Sequence, residues 1–160
     1  MESFESMAYL LQHTALMMMR QADQVLQERL GIGVSQLRIL SILRDDPNTS
    51  QRKIGDRLGQ TEASISRQVK LLTQKGMLVA HTNPSSRREH IAVLTPKGIK
   101  LTDAAQEIVA HYGEPLAEVL SSRQREQLTA ILETLHQHIC VPGKPFACDH
   151  ALAPMLEPEA

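Results

Sequence analysis

The side chains best suited to chemistry lie between Glu62 and Lys70, in the segment EASISRQVK. Ile65, Val69 and Leu72 recur at spacings of four and three, the period of one helix face, which leaves the polar residues on the opposite face. A guanidinium can pair with both major-groove acceptors of guanine, and a carboxamide can pair with adenine in the same way. We therefore interpret this segment as a helix that reads base edges.

Within the segment, we predict that Arg67 contacts guanine, that Gln68 contacts adenine and that Lys70 contacts a phosphate. The serines can reach a base or a phosphate. A plain solvated helix surface would carry the same residue types, so the interpretation depends on what flanks the helix. The predicted DNA-contacting residues on the helices and their caps are Ser50, Gln51, Thr61, Ala63, Ser64, Ser66, Arg67, Gln68 and Lys70.

Two adjacent arginines, Arg87 and Arg88, follow the turn sequence NPSS between two strand-like runs. The minor groove, about 6 Å wide, concentrates negative potential, and a narrow tip bearing guanidinium groups can enter it where a helix cannot. Charged residues on a hairpin also discourage edge pairing, which is the alternative explanation. We predict that both arginines contact DNA.

The charges of the chain are unevenly distributed. The net charge is −1, yet residues 50–100 hold ten Lys and Arg against three Asp and Glu, so that this segment carries +7 and the remainder −8. A basic region within a nearly neutral chain is typical of a surface that binds nucleic acid.

Periodicity and capping residues predict the elements that position these side chains. An apolar stripe indicates a helix from about Ser6 to Leu30, ended by GIG at 31–33, and its length suggests that the stripe reaches a second subunit. Ser35 is predicted to cap a second helix, which DDPN at 45–48 ends. Two short helices follow, capped by Ser50 and Thr61 and separated by a Gly-containing turn, the pattern of a helix-turn-helix.

Beyond that motif, residues 77–95 read as a β-hairpin and Thr95 caps a further helix that Gly113 and Pro115 are expected to bend or interrupt. A capping box at Ser121 and Gln124 starts the last amphipathic helix. The predicted fold is mainly α with a small β-hairpin wing. We expect one domain over 1–140, with dimerisation helices at about 6–30 and 96–140, a winged helix-turn-helix at about 34–95 and a Pro-rich tail at 141–160.

The ordered pieces VSQLRILSIL, SQRKIGDRLG, TEASISRQVKLLTQKGML and NPSSRREHIAVLTPKG resemble the MarR family of winged helix-turn-helix transcriptional regulators, over about residues 5–140. The resemblance implies a homodimer, assembled by the first helix and the last two, that binds a roughly palindromic double-stranded DNA site. In the usual wing of the family an acidic residue lies two positions before the tip arginine; here Ser86 stands before Arg88, so Glu89 or the protein body would have to orient that arginine.

The family also implies a regulatory input, either a small phenolic or lipophilic ligand between the dimer helices and the DNA-binding lobe, or cysteine oxidation. His13, Arg20 and His111 are the polar candidates near the expected cavity. A second set lies near the C-terminus, where His136, His138, Cys140, Cys148 and His150 are possible metal ligands. Their spacing matches no common zinc frame, so zinc, a Cys140–Cys148 thiol switch and incidental residues all stay open.

No signal peptide or long apolar run is present, and the chain lacks the G-x-S-x-G, P-loop, G-x-G-x-x-G and H-E-x-x-H motifs. We therefore expect a cytoplasmic, non-enzymatic regulator without a cofactor or membrane partner, more often a repressor than an activator in such a family. A dimeric protein-interaction module without DNA binding, and a metal- or thiol-sensing regulator, are the alternatives.

Overall fold

The chain forms six helices and one two-stranded hairpin within the residues that the computed structural model describes, 2–47, 49–83 and 86–139. Side chains are described at these positions except 2–3, 80, 82–90 and 116–117. In chain order the elements are α1 (Glu2–Leu30), α2 (Val34–Asp45), α3 (Gln51–Leu58), α4 (Glu62–Gln74), β1 (Leu78–Asn83), β2 (Ser86–Leu94), α5 (Pro96–Glu118) and α6 (Ser122–Ile139). The predicted fold class, mainly α with a small hairpin, is confirmed.

Four of the predicted helix starts are confirmed by side-chain caps. In each, an oxygen of the capping residue accepts a hydrogen bond from a backbone N–H in the first turn, which satisfies a donor that the helix leaves unpaired. The pairs are Ser50 with Lys53 (3.4 Å), Thr61 with Ser64 (3.2 Å), Thr95 with Gly98 (3.1 Å) and Ser121 with Gln124 (3.4 Å).

The prediction that Ser35 caps α2 is wrong. The N-cap is Gly33, two residues earlier, and the helix begins at Val34. The Val34 N–H donates to Asp23 Oδ1 of α1 at 2.8 Å, and the side chain of Gln36 accepts from the Gly33 N–H at 3.3 Å. The carboxylate of Asp23, eleven positions before Val34, therefore satisfies a donor at the start of α2, the role that the sequence pattern predicts for Ser35.

Helix α5 continues through Gly113 and Pro115 to Glu118. The predicted interruption is therefore wrong: a proline removes one backbone hydrogen bond, but the helix geometry is retained on both sides. The predicted domain division at residue 140 remains a prediction, because 140–160 lie outside the described part of the chain.

The hydrophobic core lies where α2, α3, α4 and the hairpin meet the end of α1 and the start of α5. Its buried residues are Leu26, Ile32, Leu37, Ile39, Leu40, Leu43, Ile54, Ile65, Val69, Leu72, Met77, Leu78, Ala92 and Ala105. Burial of such aliphatic side chains stabilises the fold by about 1.5–3 kcal/mol each relative to exposure. The core therefore holds the two helix-turn-helix elements as one body with the hairpin.

The hairpin is antiparallel, with Leu78 opposite Leu94 and His81 opposite Ile91, and its register shifts after Thr82. On its other edge, β2 forms a single bridge from Ile91 to Ser50, the cap of α3. The wing is therefore joined by backbone pairing to the start of the helix-turn-helix.

Two apolar stripes remain uncovered in a single chain. On α1 the large apolar residues from Phe4 to Met19 are exposed, whereas Leu26 is fully buried. No residue of α6, which is described along its whole length, is buried, and its apolar residues Leu128, Ile131, Leu132 and Ile139 are exposed. Among the described helices, none is long and apolar enough to cross a bilayer.

Candidate nucleic-acid interface

The turn between α3 and α4 sets the geometry of the helix-turn-helix. Gly59 ends α3 in the left-handed conformation (φ 63°), which glycine adopts without steric cost. The Gln60 N–H then donates to Gly55 O at 2.9 Å. A Cβ on Gly55 would lie 2.7 Å from the Gln60 carbonyl oxygen, so the turn packs directly on the backbone of α3. The tight connection fixes where α4 begins.

Helix α4 buries one face and exposes the other, as the sequence predicts. Ile65, Val69 and Leu72 are buried. The exposed candidates for DNA contact are Thr61, Ala63, Ser66, Arg67 and Lys70, and Gln68 is half-buried beside them. The N-terminal half of the helix therefore presents a polar surface free of core packing, the geometry that a recognition helix needs.

Ser64 differs from the other candidates on α4. Its side chain is half-buried, and its hydroxyl donates to Gln60 Oε1 at 3.2 Å. The hydroxyl proton is thus used within the protein, which leaves Ser64 an acceptor toward any ligand.

The side chains of Ser50 and Gln51 lie below the surface, with only 8% and 7% exposed. The Ser50 hydroxyl is engaged as the α3 cap. In the same turn Arg52 and Lys53 are exposed. Capping and core packing thus turn two predicted contacts inward, and two basic residues outside the predicted set occupy the surface.

Arg87 and Arg88 lie in β2, one and two residues after its first residue, Ser86. Their side chains are outside the described set, so their approach to DNA remains a prediction. The base of the wing is well anchored: Thr95 Oγ1 donates to Gly76 O at 2.8 Å, and the Thr95 N–H donates to Met77 O at 3.0 Å.

Part of the positive charge of residues 50–100 serves internal contacts. Lys75 Nζ donates to Gly31 O, just beyond α1, and Lys97 Nζ donates to Lys75 O at the end of α4. Arg57 pairs with Asp46 at 3.3 Å. The carboxylate of Asp46 thus offsets the charge of Arg57, whereas Lys75 and Lys97 keep their charge but direct their ammonium groups at main-chain carbonyls.

The three ligand candidates lie on two helices, α1 and α5. His13 is exposed and stacks on Tyr9, with ring centroids 5.6 Å apart. Arg20 lies seven residues further along α1, roughly 10 Å at the helical rise. His111 lies in α5, where its Nδ1 is 3.4 Å from Glu114 Oε2. Their grouping in one ligand site remains a prediction.

The metal candidates fall largely outside the described residues. His136 and His138 lie in the last turn of α6, whereas Cys140, Cys148 and His150 are outside. Within the described residues, no group of three or more His, Cys, Asp or Glu side chains is arranged to hold a metal. The zinc and thiol hypotheses remain predictions.

Residues outside the predicted set join the elements of the interface. Arg44 of α2 donates to Asp103 Oδ1 of α5 at 3.3 Å and also to Gln106 Oε1. Gln60 donates to Ser35 Oγ at 3.1 Å, besides accepting from Ser64. Arg44 and Gln60 each contact a residue that lies far away in sequence, so the local periodicity of the sequence does not reveal their role.

Known proteins share this arrangement. The sequence model described as the MarR family matches residues 30–89. The HTH-type transcriptional regulator MhqR of Bacillus subtilis (strain 168) is 30% identical over 104 residues, which cover 64% of this chain and 71% of that protein. A protein of Thauera aromatica, described as a putative transcriptional regulatory protein for the hcr operon, is 25% identical over 99 residues. The aligned residues cover 62% of this chain and 60% of the length of the Thauera aromatica protein.

Among solved structures, a complex of S. aureus MepR with DNA superposes with a TM-score of 0.74 at 26% identity, covering 82% of this chain and 96% of that chain. The helix-turn-helix, the hairpin wing and the flanking helices are thus shared with transcriptional regulators. The chain belongs to the MarR family of winged helix-turn-helix transcriptional regulators.

Proposed function

We propose that this protein is a repressor that binds a pseudo-palindromic operator as a homodimer and leaves it when a small ligand binds or a thiol is oxidised. The observation that carries the proposal is the face of α4, a helix held by a tight turn, where Ser66 and Arg67 are exposed in the N-terminal half and Lys70 is exposed one turn further on. Fixed polar side chains on such a helix can meet base edges in the major groove.

In the proposed complex, the roles of these side chains differ. Arg67 pairs with guanine and Gln68 with adenine, whereas Lys70 meets a phosphate. Arg87 and Arg88 enter the adjoining minor groove from the wing. We leave Ser50 and Gln51 out of the contact set because their side chains are buried. We add Arg52 and Lys53, exposed at the start of α3, as phosphate contacts.

The uncovered stripes support the homodimer. Tyr9 and Leu10 of α1 and Ile131 and Ile139 of α6 are each more than half exposed in a single chain. Contiguous apolar surface of this kind marks a protein-protein interface, and a two-fold symmetric dimer would bury equivalent stripes from both copies. Two recognition helices would then meet half-sites about 34–36 Å apart.

Control of DNA binding would act through the distance between the two recognition helices of the dimer. Helix α5 continues from the wing toward the dimer elements, and the Arg44–Asp103 pair links it to α2 in the DNA-binding lobe. A ligand or an oxidation that favours a different placement of α5 would move the two lobes to a spacing that does not match the duplex.

The direct test is selection of bound fragments from random duplex DNA. We expect two related half-sites with centres about one helical turn apart. Arg67→Ala should relax base preference at one position, at a cost of about 1–3 kcal/mol. Lys70→Ala should weaken all duplexes alike and lower the salt dependence by about one unit.

Failure to enrich any sequence, or operator affinity unchanged in a protein carrying both Arg67→Ala and Arg88→Ala, would count against the proposal and favour the dimeric protein-interaction module. Transcription in vitro from a promoter carrying the recovered site tests the regulatory sign, because a repressor must lower transcript yield.

A further inference from the structure

The side chain of Gln60 joins the two helices on which the interface depends. Its Nε2 donates to Ser35 Oγ in the first turn of α2 at 3.1 Å. Its Oε1 accepts from Ser64 Oγ in the first turn of α4 at 3.2 Å. One carboxamide therefore connects the start of the recognition helix to the start of a core helix.

The backbone of Gln60 is held independently of this side chain. Its N–H donates to Gly55 O at 2.9 Å, and its carbonyl lies against Gly55, where an added Cβ would approach to 2.7 Å. Since the main chain is fixed to α3, three helices meet at this one residue. The side chain therefore adds a hydrogen-bonded link between α2 and α4, two helices that also share the hydrophobic core.

The α2 end of this link is a firm support. Val34, next to Ser35, donates its N–H to Asp23 of α1 at 2.8 Å, and the Gly33 N–H donates to Gln36 Oε1 at 3.3 Å. Among the described side chains, the Ser35–Gln60–Ser64 chain is the one hydrogen-bonded path from the first turn of α4 to α2. This path thus anchors the first turn of α4 to α2, in addition to the Thr61 cap and the buried side chain of Ile65.

We propose that Gln60 is a positioning residue for DNA recognition, which holds Ser64, and with it the first turn of α4, at the angle that base contacts require. This inference rests on the proposed DNA-binding function. It also gives Ser64 a different role from the one predicted from sequence: Ser64 acts as the attachment point of the helix, and its hydroxyl proton is directed at Gln60 rather than at a base.

The angle of α4 matters unequally for the two kinds of DNA contact. Arg67, three residues beyond Ser64, must meet two acceptors of one base, and hydrogen bonds weaken steeply outside their distance and angular range. A lysine reaches phosphate with a flexible stem and a point charge, which tolerates small shifts. Loss of the link should therefore reduce sequence discrimination more than overall affinity for DNA.

The test compares Gln60→Met, which keeps the length of the side chain and removes the amide, with Ser64→Ala and the double variant. Gln74→Met, at the exposed C-terminal end of α4, is the matched control. Affinity is measured by fluorescence anisotropy for the duplex recovered with the wild-type protein and for a shuffled duplex of equal composition, over a range of salt concentrations. Thermal unfolding reports whether each variant is folded.

We expect Gln60→Met and Ser64→Ala each to lower the ratio of selected-duplex to shuffled-duplex affinity by about five- to tenfold. The double variant should lose no more than the larger single loss, because both changes break one chain. The salt dependence and the affinity for the shuffled duplex should stay at wild-type values, and Gln74→Met should behave as wild type throughout.

The proposal is overturned if Gln60→Met keeps the wild-type ratio, if it weakens both duplexes equally, or if the losses of the two single variants add. If Gln60→Met does not fold, Ser35→Ala removes the other partner and must give the same loss of discrimination. A wild-type protein that does not distinguish the two duplexes would instead refute the proposed function.

Discussion

Replacement of Gly55 by alanine tests whether the packing of the helix-turn-helix turn controls both stability and DNA binding. The new Cβ would lie 2.7 Å from the Gln60 carbonyl oxygen, while its other neighbours, Glu62 N and Ile65 Cγ1, are at 3.6 Å. A carbon–oxygen contact needs about 3.3 Å, so the carbonyl must move by roughly 0.6 Å. Because that carbonyl belongs to the turn, α4 has to move with it.

The expected cost follows from overpacking against a fixed backbone, about 1–3 kcal/mol of unfolding free energy. For a chain of this size each kcal/mol lowers the melting temperature by about 2–4 °C, so we expect a fall of roughly 2–12 °C, measured by circular dichroism. Well below that temperature, the displaced α4 should still cost about tenfold or more in affinity for the selected duplex, since bidentate base contacts require close geometry.

Gly59→Ala is the matched control. Gly59 has a positive φ of 63° but no atom within 4 Å of an added Cβ, so alanine there is strained without pushing on α4. The cost should be about 1–2 kcal/mol with nearly wild-type DNA affinity. A Gly55→Ala protein that melts with the wild type and binds the selected duplex equally well would refute the packing argument, and equal binding losses in both variants would refute the link to α4.

Two further changes test the supports of the interface. Asp23→Ala removes the acceptor for the Val34 N–H and should lower the unfolding free energy by about 0.5–2 kcal/mol in urea denaturation. Asp23→Asn keeps an acceptor oxygen and should lower it by less. Equal losses in the two variants would contradict the role of Asp23 as a cap. Ile131→Glu places a charge on the uncovered stripe of α6. Because Ile131 is 56% exposed in one chain, the fold of the single chain should persist. The dimer should dissociate in sedimentation analysis, since an unpaired charge is costly to bury in an interface. Gln137→Glu, on another side of α6, should leave the dimer intact, and an unchanged mass for Ile131→Glu would exclude that residue from the interface.

Local features of the sequence determined the order of the elements and the starts of four helices. Ser50, Thr61, Thr95 and Ser121 cap helices because a side-chain oxygen reaches an N–H within the next turn, a distance that sequence spacing alone specifies. The spacing of Ile65, Val69 and Leu72 likewise predicted which face of α4 is buried. Both the helix-turn-helix and the hairpin could therefore be located without coordinates.

The tertiary structure decided which of the candidate side chains remain available to a partner. Asp23 displaces Ser35 as the cap of α2, Gln51 is buried, and Lys75 is turned to the end of α1. The contact of Asp23 with Val34 joins residues that are 11 positions apart, and the contact of Lys75 with Gly31 joins residues that are 44 positions apart. Residue type and spacing describe what a side chain can do within a turn or two of its own helix; which distant acceptor it meets is set only when the core brings the helices together.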